Sequence, residues 1–244
     1  MRTKQIIKRI KLIIRLLRNK FKDILNGYTY SIPSKDSSSI NYQNKIQLSQ
    51  RLNPNDAKVH NLKIAIKSIE ATQILPGEIF SFWKIVGNPS IKNGFIESRS
   101  IIGNQITKSI GGGLCQLSGL IYYIGLISNL EILERYNHSM DIYNEKTRFT
   151  PLGSDATVVY GYKDLKIRNN HSSPINFTFI LNKDSITIEL NHNLKISRND
   201  VKFEQIELTS KEIAIQTIIN GKKIIKSRYK KPVPNIAASV NGLW

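Results

Sequence analysis

The sequence predicts an α+β fold: a central buried helix packed on a mainly antiparallel sheet, with β-hairpins in the C-terminal third. Three observations carry this. Helical hydrophobic spacing is confined to the first half of the 244 residues, and β-forming segments dominate the second half. One stretch, Ser109–Asn129, is apolar on nearly every face, the signature of a buried helix. Helices early and strands late also differ from the alternation of a βαβ fold. With 40% hydrophobic and 22% charged residues, the composition is globular rather than disordered.

Residues 1–26 read as a basic amphipathic helix. Ile6, Ile7, Ile10, Ile13, Ile14, Leu17 and Phe21 share one stripe, with Lys4, Lys8, Lys11, Arg15, Arg18 and Lys22 opposite. The longest apolar run there, Leu12–Ile14, is too short for a signal-peptide core or a membrane span. The pattern suits an anionic membrane surface, the plainer reading being a stripe packed on the domain. Residues 27–56 are polar and turn-rich and read as a loose linker. Residues 57–190 form the main domain, and 191–244 a β-hairpin extension with a basic tail.

Within the main domain, Asn55 or Asp56 caps a helix over 57–71, ended by Pro76-Gly77. Glu78–Val86 is strand-like and aromatic. Ala156–Tyr160 and Leu165–Arg168 are further strands, and Ile175–Leu181 with Ser185–Leu190 a hairpin. Asn220-Gly221, between Glu212–Ile219 and Lys222–Lys226, is a strong type I′ turn signal.

Charge narrows the function. Of the net +18, nine basic residues lie within 1–22 and six beyond Gly221, with no acid in either stretch, leaving the middle at +3. A specific nucleic-acid-binding face on the main domain is therefore not expected, since it needs basic residues spread over the folded surface. One cysteine excludes an intramolecular disulfide, and His60, His138, His171 and His192 are scattered without zinc-ligand spacing. No metal and no cofactor are expected. Membrane association is expected, on the cytoplasmic face for want of an export pattern, with the outer side left open.

The chemistry concentrates at Gly111-Gly112-Gly113-Leu114-Cys115-Gln116. The glycines allow a sharp turn and close approach, placing Cys115 in the first turn of the buried helix. There the helix dipole favours the thiolate. Gln116 can donate toward an oxyanion from its amide or its backbone N–H. The triple glycine lacks the Lys-Ser/Thr of a phosphate loop, and Ser118 has no base at useful spacing. His138 follows the helix, and Asp155 opens the strand 156–160, giving nucleophile, base and orienter in chain order. Phe82, Trp83, Arg135 and Ser139 are candidates for a substrate pocket, with core packing an equal alternative for the two aromatics. A buried, inert Cys115 is the competing reading.

The pieces NLKIAIKSI (61–69), LPGEIFSFW (75–83), NGF (93–95), SIGGGLCQLSGLIYY (109–123), LEILERYNHS (130–139), DATVVYGYKDLKIRNN (155–170) and Pro174 run in the order of the VanW family, which the chain resembles over 58–181. The resemblance implies a cell-wall role, VanW domains having been associated with L,D-transpeptidation of peptidoglycan. It places Cys115 at the nucleophile, His138 at the family's histidine and Asp155 at the aspartate of DATV. The partner it implies is a peptidoglycan stem peptide or precursor. The SHGC motif of the usual L,D-transpeptidases is absent, so this chemistry would run on a different scaffold. Two other readings remain open: a cysteine amidase or endopeptidase, and a non-catalytic, membrane-peripheral envelope or resistance protein.

Overall fold

A computed structural model describes residues 2–34, 41–52, 55–102, 105–140 and 150–231. The basic amphipathic segment forms α1 (Arg2–Leu25). β1 (Asn44–Arg51) follows, in a stretch expected to be loose, and pairs antiparallel with β9 (Ser185–His192) along its whole length. Its period-2 alternation explains the difference. Ile46, Leu48 and Gln50 turn inward while their polar neighbours face out, which suffices for an edge strand.

The predicted helix is α2 (Asp56–Glu70), capped by Asn55, whose side chain accepts from the Lys58 backbone N–H. It buries Leu62, Ala65, Ile66 and Ile69, each full burial being worth about 1.5–3 kcal/mol for the larger side chains. After the two-residue β2 (Gln73–Ile74), the aromatic segment is strand only over β3 (Ile79–Ser81). Ser81 then caps α3 (Phe82–Val86) by accepting from the Lys84 backbone N–H, which converts the rest of the predicted strand to helix.

A hairpin, β4 (Glu97–Ile102) and β5 (Gln105–Ile110), leads into α4 (Leu114–Ile127). Leu117, Leu120, Ile121, Tyr122 and Ile124 of α4 are completely buried, as its all-round apolarity predicts. The chain continues as β6 (Glu131–Glu134), β7 (Lys166–Arg168), β8 (Ile175–Leu181) and β9. β10 (Val201–Glu207), β11 (Glu212–Ile219) and β12 (Lys222–Lys230) complete it.

Among the described residues the named strands all pair antiparallel, in small sheets ordered β1-β9-β8-β2, β3-β7-β6 and β10-β11-β12 besides the β4-β5 hairpin. α4 is wedged among α2, β1, β6 and β9. The Asn220-Gly221 turn has the positive φ values, 50° and 78°, of its predicted type. The strand expected at Ala156–Tyr160 is absent. That segment runs extended, its Thr157 N–H donating to the Tyr136 carbonyl, and Val159 folds back on Lys163 within a tight turn.

Candidate active site

β5 delivers the chain to α4 through a turn that only glycine fits at two positions. Gly111 has φ 79°, and a Cβ there would lie 2.7 Å from Pro89 Cβ. Gly113 has φ 100°, and a Cβ would lie 2.7 Å from Lys58 Cγ. The carbonyl of Gly112 accepts from Asn61 Nδ2 at 3.1 Å, tying the turn to α2. The first turn of α4, and Cys115 in it, is thus fixed by backbone contacts to α2 and to the Pro89 loop.

Cys115 is half-buried, its Sγ directed at the Val158 carbonyl at 3.8 Å. His138 arrives on the irregular segment after β6, close enough to the thiol for each to favour the other's charged form. Its Nδ1 lies 2.7 Å from Asp155 Oδ2, and its backbone N–H donates to the same oxygen at 2.6 Å. With Nδ1 held by the carboxylate, Nε2 is left for the sulfur.

The other oxygen of Asp155, Oδ1, accepts from the Tyr229 hydroxyl at 2.5 Å and from Arg135 Nη2 at 3.0 Å. Arg135 is clamped in turn. Its Nε donates to the Asp155 carbonyl at 2.7 Å, Nη2 to the Gly153 carbonyl at 2.9 Å, and Nη1 to Ser227 Oγ at 2.5 Å. Its guanidinium sits 4.8 Å from the Tyr122 ring centroid. Carboxylate, imidazole and thiol therefore form one line backed by an arginine and a tyrosine.

The electrostatics follow from that line. Burial pushes the Cys115 thiol up, but the His138 imidazole outweighs it and holds the thiol below its ordinary value. Burial also works against a charged His138; Asp155 and the cysteine overcome it and raise the imidazole to about 10. Asp155, despite its burial, is drawn down by His138 and Arg135 to about 2. All three shifts run the same way, each favouring the charged form of its group: thiolate, imidazolium and the carboxylate that orients it.

Other candidates are placed differently. Gln116 donates its amide to the Arg51 carbonyl at 2.9 Å, and its backbone N–H closes the first turn on the Gly113 carbonyl at 3.0 Å. One amide N–H and the backbone N–H are thus engaged within the protein. Phe82 is fully buried in the core and meets Trp83 edge-on at 5.0 Å; Trp83 in turn meets Tyr160 at 5.6 Å. Trp83 is half-buried, with Nε1 donating to the Lys163 carbonyl. Arg135, its side chain only 6% exposed, braces Asp155 and adds to the wall of a polar cleft beside β6 with Lys22, Glu134, Tyr136 and Lys166. Ser139 is exposed and offers its carbonyl to the Lys230 N–H. Among the described residues, no three His, Cys, Asp or Glu side chains converge as a metal-ligand set.

Tyr229 and Ser227 were not expected at the site. The one sequence signal for them is their shared inward parity on β12, where both are buried.

A model of the VanW-like protein family matches residues 57–191, which hold Cys115, His138 and Asp155. The chain belongs to the VanW family. One relative is the vancomycin B-type resistance protein VanW of Enterococcus faecalis (strain ATCC 700802 / V583). It is 35% identical over 113 residues, covering 46% of this VanW protein and 41% of that one. Another is the uncharacterized protein YoaR of Bacillus subtilis (strain 168), 29% identical over 147 residues, covering 59% of this chain and 47% of that one. The shared region is thus less than half the length of either relative. No solved structure matches this VanW protein. Tyr229 and Ser227 lie outside the family match, so the brace behind Asp155 is completed by the C-terminal hairpin.

Proposed function

We propose that this protein is a cysteine-dependent acyl transferase of the L,D-transpeptidase kind, acting on peptidoglycan stem peptides or their precursors. The observation that carries the reading is the Cys115–His138–Asp155 line at the start of a buried helix, with the thiol lowered and the imidazole raised. The E. faecalis relative, a vancomycin B-type resistance protein by name, supports a setting in glycopeptide resistance.

In this reading the Cys115 thiolate adds to the carbonyl carbon of a donor amide. The developing oxyanion lies against the N-terminal turn of α4, where backbone N–H groups and the helix dipole favour negative charge. Collapse breaks the C–N bond as the His138 imidazolium gives its proton to the leaving amine, and a thioester remains. The neutral imidazole then takes a proton from an incoming amine as that nitrogen attacks the thioester carbonyl. The new amide departs, and thiolate and imidazolium are restored. Water in place of the amine gives hydrolysis at the same site, and product analysis with and without added amine separates the two.

The first experiment is alkylation of Cys115 by iodoacetamide across pH 4–9, in wild type and His138→Ala; with one cysteine, the label reports on this site alone. Fast labelling well below the free-thiol pKa of about 8.5, slowed about ten-fold or more at pH 6 by His138→Ala, is the expected result. Stem-peptide fragments should then give a cross-linked product that Cys115→Ala abolishes. A thiol that stays unreactive in the folded protein, whatever residue 138 is, rejects the enzyme and leaves a non-catalytic envelope protein.

A further inference from the structure

α1 presents two unlike faces to the rest of the molecule. One is anchored. Leu12 packs directly on Gly161, and Asn19 Nδ2 donates to the Gly161 carbonyl at 3.4 Å. Asp23, buried, pairs with Lys166 Nζ at 2.8 Å, and Lys166 pairs in turn with Glu134 at 3.0 Å. Leu12, Leu16, Asn19 and Asp23 follow helical spacing and form a single narrow contact stripe.

The other face is apolar and uncovered. Ile6, Ile10, Ile13, Leu17, Phe21 and Ile24 are each at least half exposed, from 50% at Ile10 to 65% at Ile24. At 3.6 residues per turn this stripe centres about 130° around the helix from the anchored one. The large apolar side chains of α1 therefore point away from the domain, contrary to the plainer expectation that they pack on it. Basic residues flank both edges of the stripe, Lys11 and Arg18 on one side and Arg9 and Lys20 on the other, whereas Arg15 stacks on the Tyr162 ring at 4.7 Å and Lys22 lines the cleft beside β6. No acid interrupts residues 1–22.

We propose that α1 lies flat on an anionic lipid surface, its apolar stripe in the acyl–headgroup boundary, its basic shoulders among the headgroups, and the domain held on the side away from the lipid. Charge complementarity selects the occupant. Isoleucine and leucine flanked on both sides by lysine and arginine match a surface that is oily below and negative above. A purely apolar protein groove would leave the shoulders unpaired, and a nucleic acid would leave the stripe in water. With nine basic residues on it, the helix lies along the bilayer rather than across it. The proposal stands apart from the acyl-transfer reading and survives its failure.

The test uses the full chain, co-sedimented with vesicles of phosphatidylcholine containing phosphatidylglycerol and with vesicles of phosphatidylcholine alone. Association should require the anionic lipid and weaken with salt. Leu17→Ser should weaken it about ten-fold or more, and Lys11→Gln about five-fold. Both positions are exposed, so the circular dichroism spectrum and the Cys115 alkylation rate should not change. Three results would overturn the proposal: no association, equal association with neutral vesicles, or association indifferent to Leu17→Ser. Sedimentation velocity adds a fourth: a dimer dispersed by Leu17→Ser, with no vesicle binding, makes a second copy the occupant. Should Leu17→Ser misfold, Ile13→Ser, on the same exposed stripe, takes its place.

Discussion

Asp155 is where the site converges: one carboxylate oxygen faces His138 and the other is held by Tyr229 and Arg135. The two braces are not equivalent. Tyr229→Phe removes the hydroxyl that donates to Asp155 and accepts from Arg135 at 3.3 Å, and should lower stability by about 1.5–3 kcal/mol in urea unfolding, with the fold kept. Arg135→Met strips a buried guanidinium from its carboxylate and should cost about 3–5 kcal/mol, the usual penalty for breaking a buried pair. Arg135→Lys should recover little of that, because an ammonium cannot serve Asp155, Gly153 and Ser227 as the planar fork does. A stability loss under about 1 kcal/mol for Arg135→Met would mean the network is not formed in solution. At this scale the sequence was informative about one side of the site only. Cys115, His138 and Asp155 stand out because glycines, a helix start and family blocks surround them. Tyr229 and Ser227 are marked only by their shared parity on β12, and their role depends on where the last hairpin docks.

Elements differ in how plainly they announce themselves. α4 was legible because an all-round apolar run has one stable location, and the Asn220-Gly221 hairpin because its turn demands positive φ. β1 was hidden by its polar residues, although the inward alternation of Ile46, Leu48 and Gln50 was present in the sequence. The missing strand at 156–160 shows the converse: β-forming residues without a neighbouring sheet edge make only isolated backbone bonds, Thr157 to Tyr136 and Val159 to Lys163, and build no ladder. Two elements yield predictions. The turn before α4 depends on Gly113, whose φ of 100° and contact with Lys58 leave no room for a side chain. Gly113→Ala should lower stability by about 1–3 kcal/mol and slow Cys115 alkylation, because the strain falls on the residue that starts the helix. α1 depends on Asp23. Asp23→Ala should speed proteolysis of the first 25 residues while Cys115 alkylation stays unchanged, since Lys166 keeps Glu134. Slowed alkylation in Asp23→Ala would show that α1 and the site are coupled.

For the whole molecule, the site joins distant parts of the chain, the start of α4, the segment after β6, the stretch before Val158 and the final hairpin. Its charge state should therefore appear in global stability. Asp155 is depressed from 3.8 to about 2, so its contribution is present above its unfolded pKa and is lost as pH falls from there toward 2. His138 is raised from 6.5 to about 10, so its contribution is complete below 6.5 and is lost as pH rises toward 10. Both are fully in place only between about pH 4.5 and 6. Unfolding free energy measured in urea should accordingly form a plateau in that range and decline on both sides. Asp155→Asn removes the acid limb outright and shrinks the alkaline one, because His138 loses the charge that sustains its proton. His138→Ala removes the alkaline limb and part of the acid one, leaving Arg135 and Tyr229 to hold Asp155 ionised. If the curves of wild type and Asp155→Asn run parallel from pH 3 to 9, the carboxylate and imidazole are not paired in the folded protein, and the charge state assigned to Cys115 fails with them.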